Sequence, residues 1–142
     1  MQWRVNDFAK YETFIWNSEQ RFNIPANMLA IVLWQASKFE PDHIAGKERN
    51  PIGVIGIANL TQDDCVTLWG GVDKRLDPLA SIAGAARLLR AQYARFNDWR
   101  LAALAYHSDA QWIRDHLQKH KPLPIRAREY TEQLAAHVRL TT

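Results

Sequence analysis

Few residues in this chain combine side-chain type and spacing in a way that suggests chemistry. His116 and His120 stand four apart, a spacing that puts two imidazoles on one helical face for a metal. No third ligand lies close by in sequence, so an exposed helix face is the plainer expectation. Cys65 is the single thiol, and nothing around it in sequence makes it a nucleophile; a buried thiol is expected. Tyr106 and Tyr130 offer phenols that read equally as core aromatics with satisfied hydroxyls. In the stretch LWQASKFEPD, position 36 lies at the end of an apolar helix beside a long loop, a good place for an acid, yet it holds alanine. By periodicity alone Ala36 is a small residue completing the helix face of Met28 and Val32.

The elements that must hold these residues are helical. Apolar residues recur at spacings of three and four almost throughout, and convincing strand alternation is missing. One helix is expected from about Val5 to Phe22. A second follows the turn Asn23-Ile24-Pro25 and ends before Pro41. Thr61 with Asp64 forms a capping arrangement for a short helix ending at Gly70-Gly71. Asp77-Pro78 is a cap followed by a favoured first helical residue, opening a central helix striped by Leu79, Ile82, Ala86, Leu89, Tyr93 and Phe96. Gly84, Ala85 and Ala86 leave room for a neighbouring helix. Further helices are expected from Asp98 to Tyr106, from Ser108 through Gln118, and, after Pro122 and Pro124, from Arg126 to Leu140. Residues 40–60, rich in Gly, Pro and Asn, form the long irregular stretch, and long ordered loops in compact domains usually carry function.

Composition bounds the rest. The 142 residues suit one domain, and 47% hydrophobic with 23% charged residues describes a soluble globular chain. Six tryptophans are many for this length; most belong in a core, and one or two suit a sugar-binding platform. A net charge of +3 is mildly basic, and without a clustered Lys/Arg stripe it does not indicate nucleic acid. One cysteine excludes an internal disulfide. No apolar run reaches membrane-spanning length, so no stable membrane insertion is expected, and the first residues do not read as a secretory signal.

Four blocks in order resemble the lytic transglycosylase family of the lysozyme-like superfamily, in its soluble-transglycosylase (SLT) form, which includes phage-encoded members. In IPANMLAIVLWQASKFEPD, residues Gln35, Ser37, Phe39 and Pro41 match the family's Gln-Glu-Ser helix end, and Ala36 stands where the family carries its catalytic glutamate. NPIGVIGIANL matches the family's glycine-rich segment at Pro51, Gly53, Gly56 and Leu60, with Asn50, Ala58 and Asn59 replacing its Ser, Met and Gln. DPLASIAGAARLL and WRLAALAYHSD resemble the Asp-Pro helix and the Ala-Tyr-Asn-Ala-Gly loop, with His107 for Asn and Ser108-Asp109 for Ala-Gly. LPIRAREYT resembles the closing Leu-Pro segment and supplies Tyr130. The match spans roughly residues 20 to 132.

The resemblance implies one all-α lysozyme-like domain over residues 1–142, with the 40–60 loop lining a groove for peptidoglycan glycan strands. It implies cleavage between N-acetylmuramic acid and N-acetylglucosamine to a 1,6-anhydro product, with no metal or cofactor. Tyr130 and Tyr106 are then expected to orient acid and substrate. Ser37, Asn50, Asn59 and His107 are expected to contribute to the groove. Protonating the bridging oxygen needs a carboxyl kept neutral by desolvation, and position 36 lacks one. Glu40, Asp42, Glu48 and Asp109 are candidate substitutes, but acid work demands hydrogen-bond reach, and a solvated loop charge is the plainer reading. Two explanations of Ala36 stay open: a Glu→Ala change made to hold substrate, or a natural pseudoenzyme. A muramidase on the same fold and a glycan-binding module are the functional alternatives. A monomer is expected, reaching the wall by phage lysis or as a virion component with virion partners.

Overall fold

A computed structural model of the chain describes residues 10–37, 58, 60–107 and 110–137. Among them are seven helices and no strand, in keeping with the all-α expectation: α1 Glu12–Arg21, α2 Met28–Ser37, α3 Gln62–Trp69, α4 Pro78–Phe96, α5 Trp99–His107, α6 Ala110–Gln118 and α7 Ile125–His137. The first differs from expectation, because Lys10 and Tyr11 form a turn and the helix begins at Glu12. Residues 5–9, most of the 40–60 loop, residues 108–109 and the end of the last helix beyond His137 lie outside the described residues.

Local signals set several boundaries as the sequence predicts. The Thr61 hydroxyl accepts the Asp64 N–H at 3.1 Å while the Asp64 carboxylate accepts the Thr61 N–H at 2.8 Å, a reciprocal capping box. Gly70, at φ +64°, then closes α3 in the left-handed region. Asp77 accepts the N–H groups of Leu79 and Ala80 and is followed by Pro78 as the first residue of α4. Asn97, also left-handed, ends α4, and Asp98 takes the Arg100 N–H at 2.8 Å to start α5. That two-residue turn lets Tyr93 stack on Trp99 with ring centres 4.0 Å apart.

α4 is the spine, packed against α1, α2 and α5; α5 in turn meets α6 and α7. Of the predicted α4 stripe, Ile82, Ala86 and Leu89 are fully buried and Tyr93 and Phe96 pack partly on the core. Leu79 departs from it. It sits in the first turn and is 51% exposed. Gly84 explains how α3 approaches: a Cβ there would lie 2.7 Å from a Leu68 methyl and 3.3 Å from the Trp69 ring. The Arg87 guanidinium on the same side donates to the Leu68 carbonyl at 3.1 Å, placing a cation on the last turn of α3. Gly84→Val is expected to force these side chains aside and cost about 1–3 kcal/mol, measured as a lower urea midpoint.

α2 carries no charged residue, and Met28 through Leu33 are all buried. A helix apolar all round belongs inside a fold. It contacts α1, α4, α5 and α7, so the segment that bears position 36 is surrounded by the rest of the molecule.

Candidate functional site

The last turn of α2 is where the buried helix surfaces. Trp34, Gln35 and Ala36 are partly exposed after six buried residues, whereas Ser37 is buried again. A side chain longer than alanine at 36 would therefore leave an apolar stripe and enter a partly desolvated margin, the setting that keeps a carboxyl protonated. The Ser37 hydroxyl donates back to the Leu33 carbonyl at 3.3 Å, a bond that ties up the final turn. Beside it the Gln35 Oε1 is buried with no hydrogen-bond partner among the described residues.

Tyr106 and Tyr130 lie on two other helices that contact α2. Tyr130, on α7, is buried and donates its hydroxyl to the Ala103 carbonyl of α5 at 3.3 Å. Tyr106, near the end of α5, donates to the Ala58 carbonyl at 2.5 Å. Burial pushes both phenols well above their ordinary range, and for Tyr106 the Asp64 carboxylate and Tyr130 add to the effect. The two rings thus lie in one neighbourhood, and both α5 and α7 pack on α2. At neutral pH both hydroxyls are protonated donors.

Ala58 and Leu60 are the described residues at the end of the 40–60 loop, and both are buried in the core. The carbonyl of each is held from outside the loop: Tyr106 bonds that of Ala58, and the Arg75 Nη1 reaches that of Leu60 at 3.4 Å. Arg75 is only 1% exposed. Its charge is met by Asp73, which accepts the Nε–H at 3.0 Å and an Nη2–H at 2.9 Å. These bonds hold the Asp73 carboxyl down at about 2. Cys65 lies against the same pair, its thiol 3.7 Å from Asp73, and burial together with the Asp73 charge raises its pKa. It is a buried structural thiol, as expected.

Asn50 and Asn59 fall outside the described residues, as do Glu40, Asp42, Glu48 and Asp109; of His107 the backbone closes α5. The structure places position 36 and Ser37 on α2 and Tyr106 and Tyr130 on two helices that contact α2, and it does not locate the other groove candidates. His116 engages the Lys121 carbonyl through Nδ1 at 2.7 Å, and no cluster of three metal-ligating side chains occurs among the described residues. None of the described helices is long and apolar enough to cross a membrane.

Glu19 is the residue that sequence reading misses. It lies on α1, 3% exposed, and its two oxygens accept the Asn27 N–H at 3.2 Å and the Leu29 N–H at 2.9 Å. It is a cap for α2 supplied from another helix, and a negative charge there complements the helix dipole. Burial nevertheless dominates and pushes the carboxyl up to about 7, against the downward pull of the Asn27, Leu29 and Ala30 N–H groups. Both oxygens are engaged, so Glu19 does not stand in for the missing acid. Its folded value lies above the unfolded one, so its contribution is greatest in acid and is lost as pH rises through about 7. The loss is on the order of 3 kcal/mol, read as a falling urea midpoint for this chain and a flatter one for Glu19→Gln. Nearby, Trp16, Gln20, Ile24, Ala26 and Asn27 line an open pocket of about 370 Å³. Trp16, 44% exposed, is the most open described tryptophan, but it sits at the opposite end of α2 from position 36.

The described residues define an all-α domain built around an almost wholly apolar helix, with Tyr106 and Tyr130 on two helices that contact it. The chain belongs to the transglycosylase SLT domain family, whose model matches residues 14–128. It is 35% identical over 86 residues to membrane-bound lytic murein transglycosylase F 2 of Alkalilimnicola ehrlichii, covering 61% of this chain and 18% of that protein. Against lytic murein transglycosylase F 1 of the same organism it is 35% identical over 78 residues, 55% of this chain and 14% of that protein. The chain thus spans less than a fifth of either relative.

Proposed function

We propose that this chain is the glycan-cleaving unit of a peptidoglycan lytic transglycosylase in which the proton donor has been replaced by Ala36. The observation that carries this reading is the position of residue 36. It lies in the surfacing last turn of α2, on a helix packed against those that bear Tyr106 and Tyr130. The SLT family match and the relatives named as lytic murein transglycosylases support the substrate class.

In the parent reaction a glutamic acid at 36 protonates the oxygen between N-acetylmuramic acid and N-acetylglucosamine. It then accepts a proton as the muramic 6-hydroxyl attacks its own anomeric carbon, giving a 1,6-anhydro end. Tyr130 and Tyr106, neutral phenols whose protons are held by backbone carbonyls, orient acid and sugar, and Ser37 secures the helix end. Asn50, Asn59 and His107 line the groove in this proposal. The chain as it stands binds glycan strands and does not cut them. Residues 1–142 act as one unit in this reading, and resemblance to phage-encoded members of the family suggests delivery to the wall by lysis or within a virion.

The test is to incubate purified murein sacculi with the Ala36→Glu variant and weigh the products. Ends lighter by one water than reducing ends establish the lyase. Reducing ends establish a muramidase instead. No release above that from the unaltered chain leaves a glycan-binding module.

A further inference from the structure

α1 and α2 are joined by more than apolar contact. The Glu19 carboxylate crosses from α1 to take two N–H groups at the start of α2, at 3.2 and 2.9 Å. Apolar burial is non-directional and fixes how far α2 stands from its neighbours better than how far it slides along its own axis. Directional bonds at one end set that axial position. α2 has no charged residue of its own to do so. It is a ten-residue rod rising about 1.5 Å per residue, so a displacement at Leu29 is carried through to Ser37. Misplacement by about 1 Å is enough to matter at a catalytic centre.

We propose that Glu19 is a positioning residue for the site at the far end of α2: by holding the first turn of the helix it sets where position 36 and Ser37 stand against α5 and α7. This rests on reading that end of α2 as the glycan site. As a carboxylate, Glu19 accepts from both N–H groups; as the neutral acid one oxygen carries a proton and the grip on the helix loosens, even though shedding a buried charge favours the fold as a whole. The helix position is therefore coupled to the protonation of a residue that never meets substrate.

The charged surroundings leave Glu19 in control of that coupling. On α1 itself, Arg21 lies over the Phe22 ring, and Glu12 is two turns away. The turn from Asn23 to Asn27 and the whole of α2 are uncharged. On α4, Arg87 is bound to the Leu68 carbonyl, Arg90 lies over Tyr93 and Trp99, and Arg95 lies over Phe96.

The test uses the chain as it exists. Amide nitrogen–proton spectra are recorded from about pH 5 to about pH 9, a span wide enough to cover a carboxyl titrating near neutrality. The amides of Asn27 and Leu29 are expected to shift with one midpoint near neutral pH, and those of Ala36 and Ser37 to shift with the same midpoint. In Glu19→Gln all four lose that transition. Binding of an N-acetylglucosamine tetramer is expected to weaken about fivefold in Glu19→Gln, roughly 1 kcal/mol, and to lose the pH dependence seen in the parent. Amides at 36 and 37 that stay still while Asn27 and Leu29 titrate overturn the proposal. So does an unchanged tetramer affinity in a Glu19→Gln protein that retains the parent's melting temperature. If Glu19→Gln does not fold, the parent's amide titration decides alone. If the parent itself binds no tetramer, the glycan reading fails, and the amide titration still decides whether Glu19 positions the helix.

Discussion

Ala36→Glu is expected to release soluble muropeptides from sacculi at a rate about 10²–10⁴ times that of the unaltered chain, the usual contribution of a placed general acid. The expectation follows from what surrounds position 36. Met28 through Leu33 are buried, so a carboxyl three residues on leaves an apolar helix before it meets water. Desolvation disfavours its charged form and keeps a transferable proton near neutral pH. Replacing alanine here adds length at a partly exposed position, so little overpacking is expected. The comparison that isolates chemistry is Ala36→Gln, which adds nearly the same volume without an acid. Equal release from the Gln and Glu variants would mean that bulk and not proton donation restores activity, and would remove position 36 from the mechanism.

Asp73→Ala is expected to be the most damaging change outside the core, costing roughly 3 kcal/mol of stability. The Arg75 guanidinium is buried at 1% exposure, and Asp73 supplies two of its hydrogen bonds and its counter-charge. Removing the carboxylate deprives a buried cation of that counter-charge. The cost sits at the lower end of the range for buried pairs because the Asp73 side chain is itself half exposed. Asp73 also has a distinct pH signature. Its folded value is depressed, so its contribution is present above the ordinary carboxylate range and is lost as pH falls toward about 2. That is the opposite sense to Glu19, whose contribution fades as pH rises through about 7. Urea midpoints across this range should therefore decline on both sides of a mildly acidic optimum. Asp73→Ala should flatten the acid side and Glu19→Gln the neutral side.

What was legible in the sequence was local. The Thr61–Asp64 box, the Asp77-Pro78 start and the Gly70 stop each lie within a few residues and act through their own backbone, so reading them needs no tertiary knowledge. The buried part of the α4 stripe follows from periodicity for the same reason. Glu19 was not legible, because its partners are eight and ten residues away across a turn, and a glutamate on an amphipathic helix reads as solvated until that turn is folded. Arg75 was missed likewise: arginine is normally exposed, and its burial depends on Asp73 and the Leu60 carbonyl converging on it. The site divides in another way. Position 36, Tyr106 and Tyr130 were picked out by the order of motifs and not by any physical signal, since by pattern alone each is an unremarkable core residue.

The two carbonyls gripped on either side of residue 59 have a consequence for how the segment before them can change over generations. With Ser37 closing α2 at one end and Ala58 and Leu60 fastened to α5 and Arg75 at the other, the segment between runs from one fixed post to another. Lengthening such a segment costs little, about 0.6 kcal/mol for each doubling of a flexible loop. The posts belong to the core. On the proposed reading of this chain, insertion and deletion in that span are the route by which glycan preference changes, while the helices on either side keep their addresses.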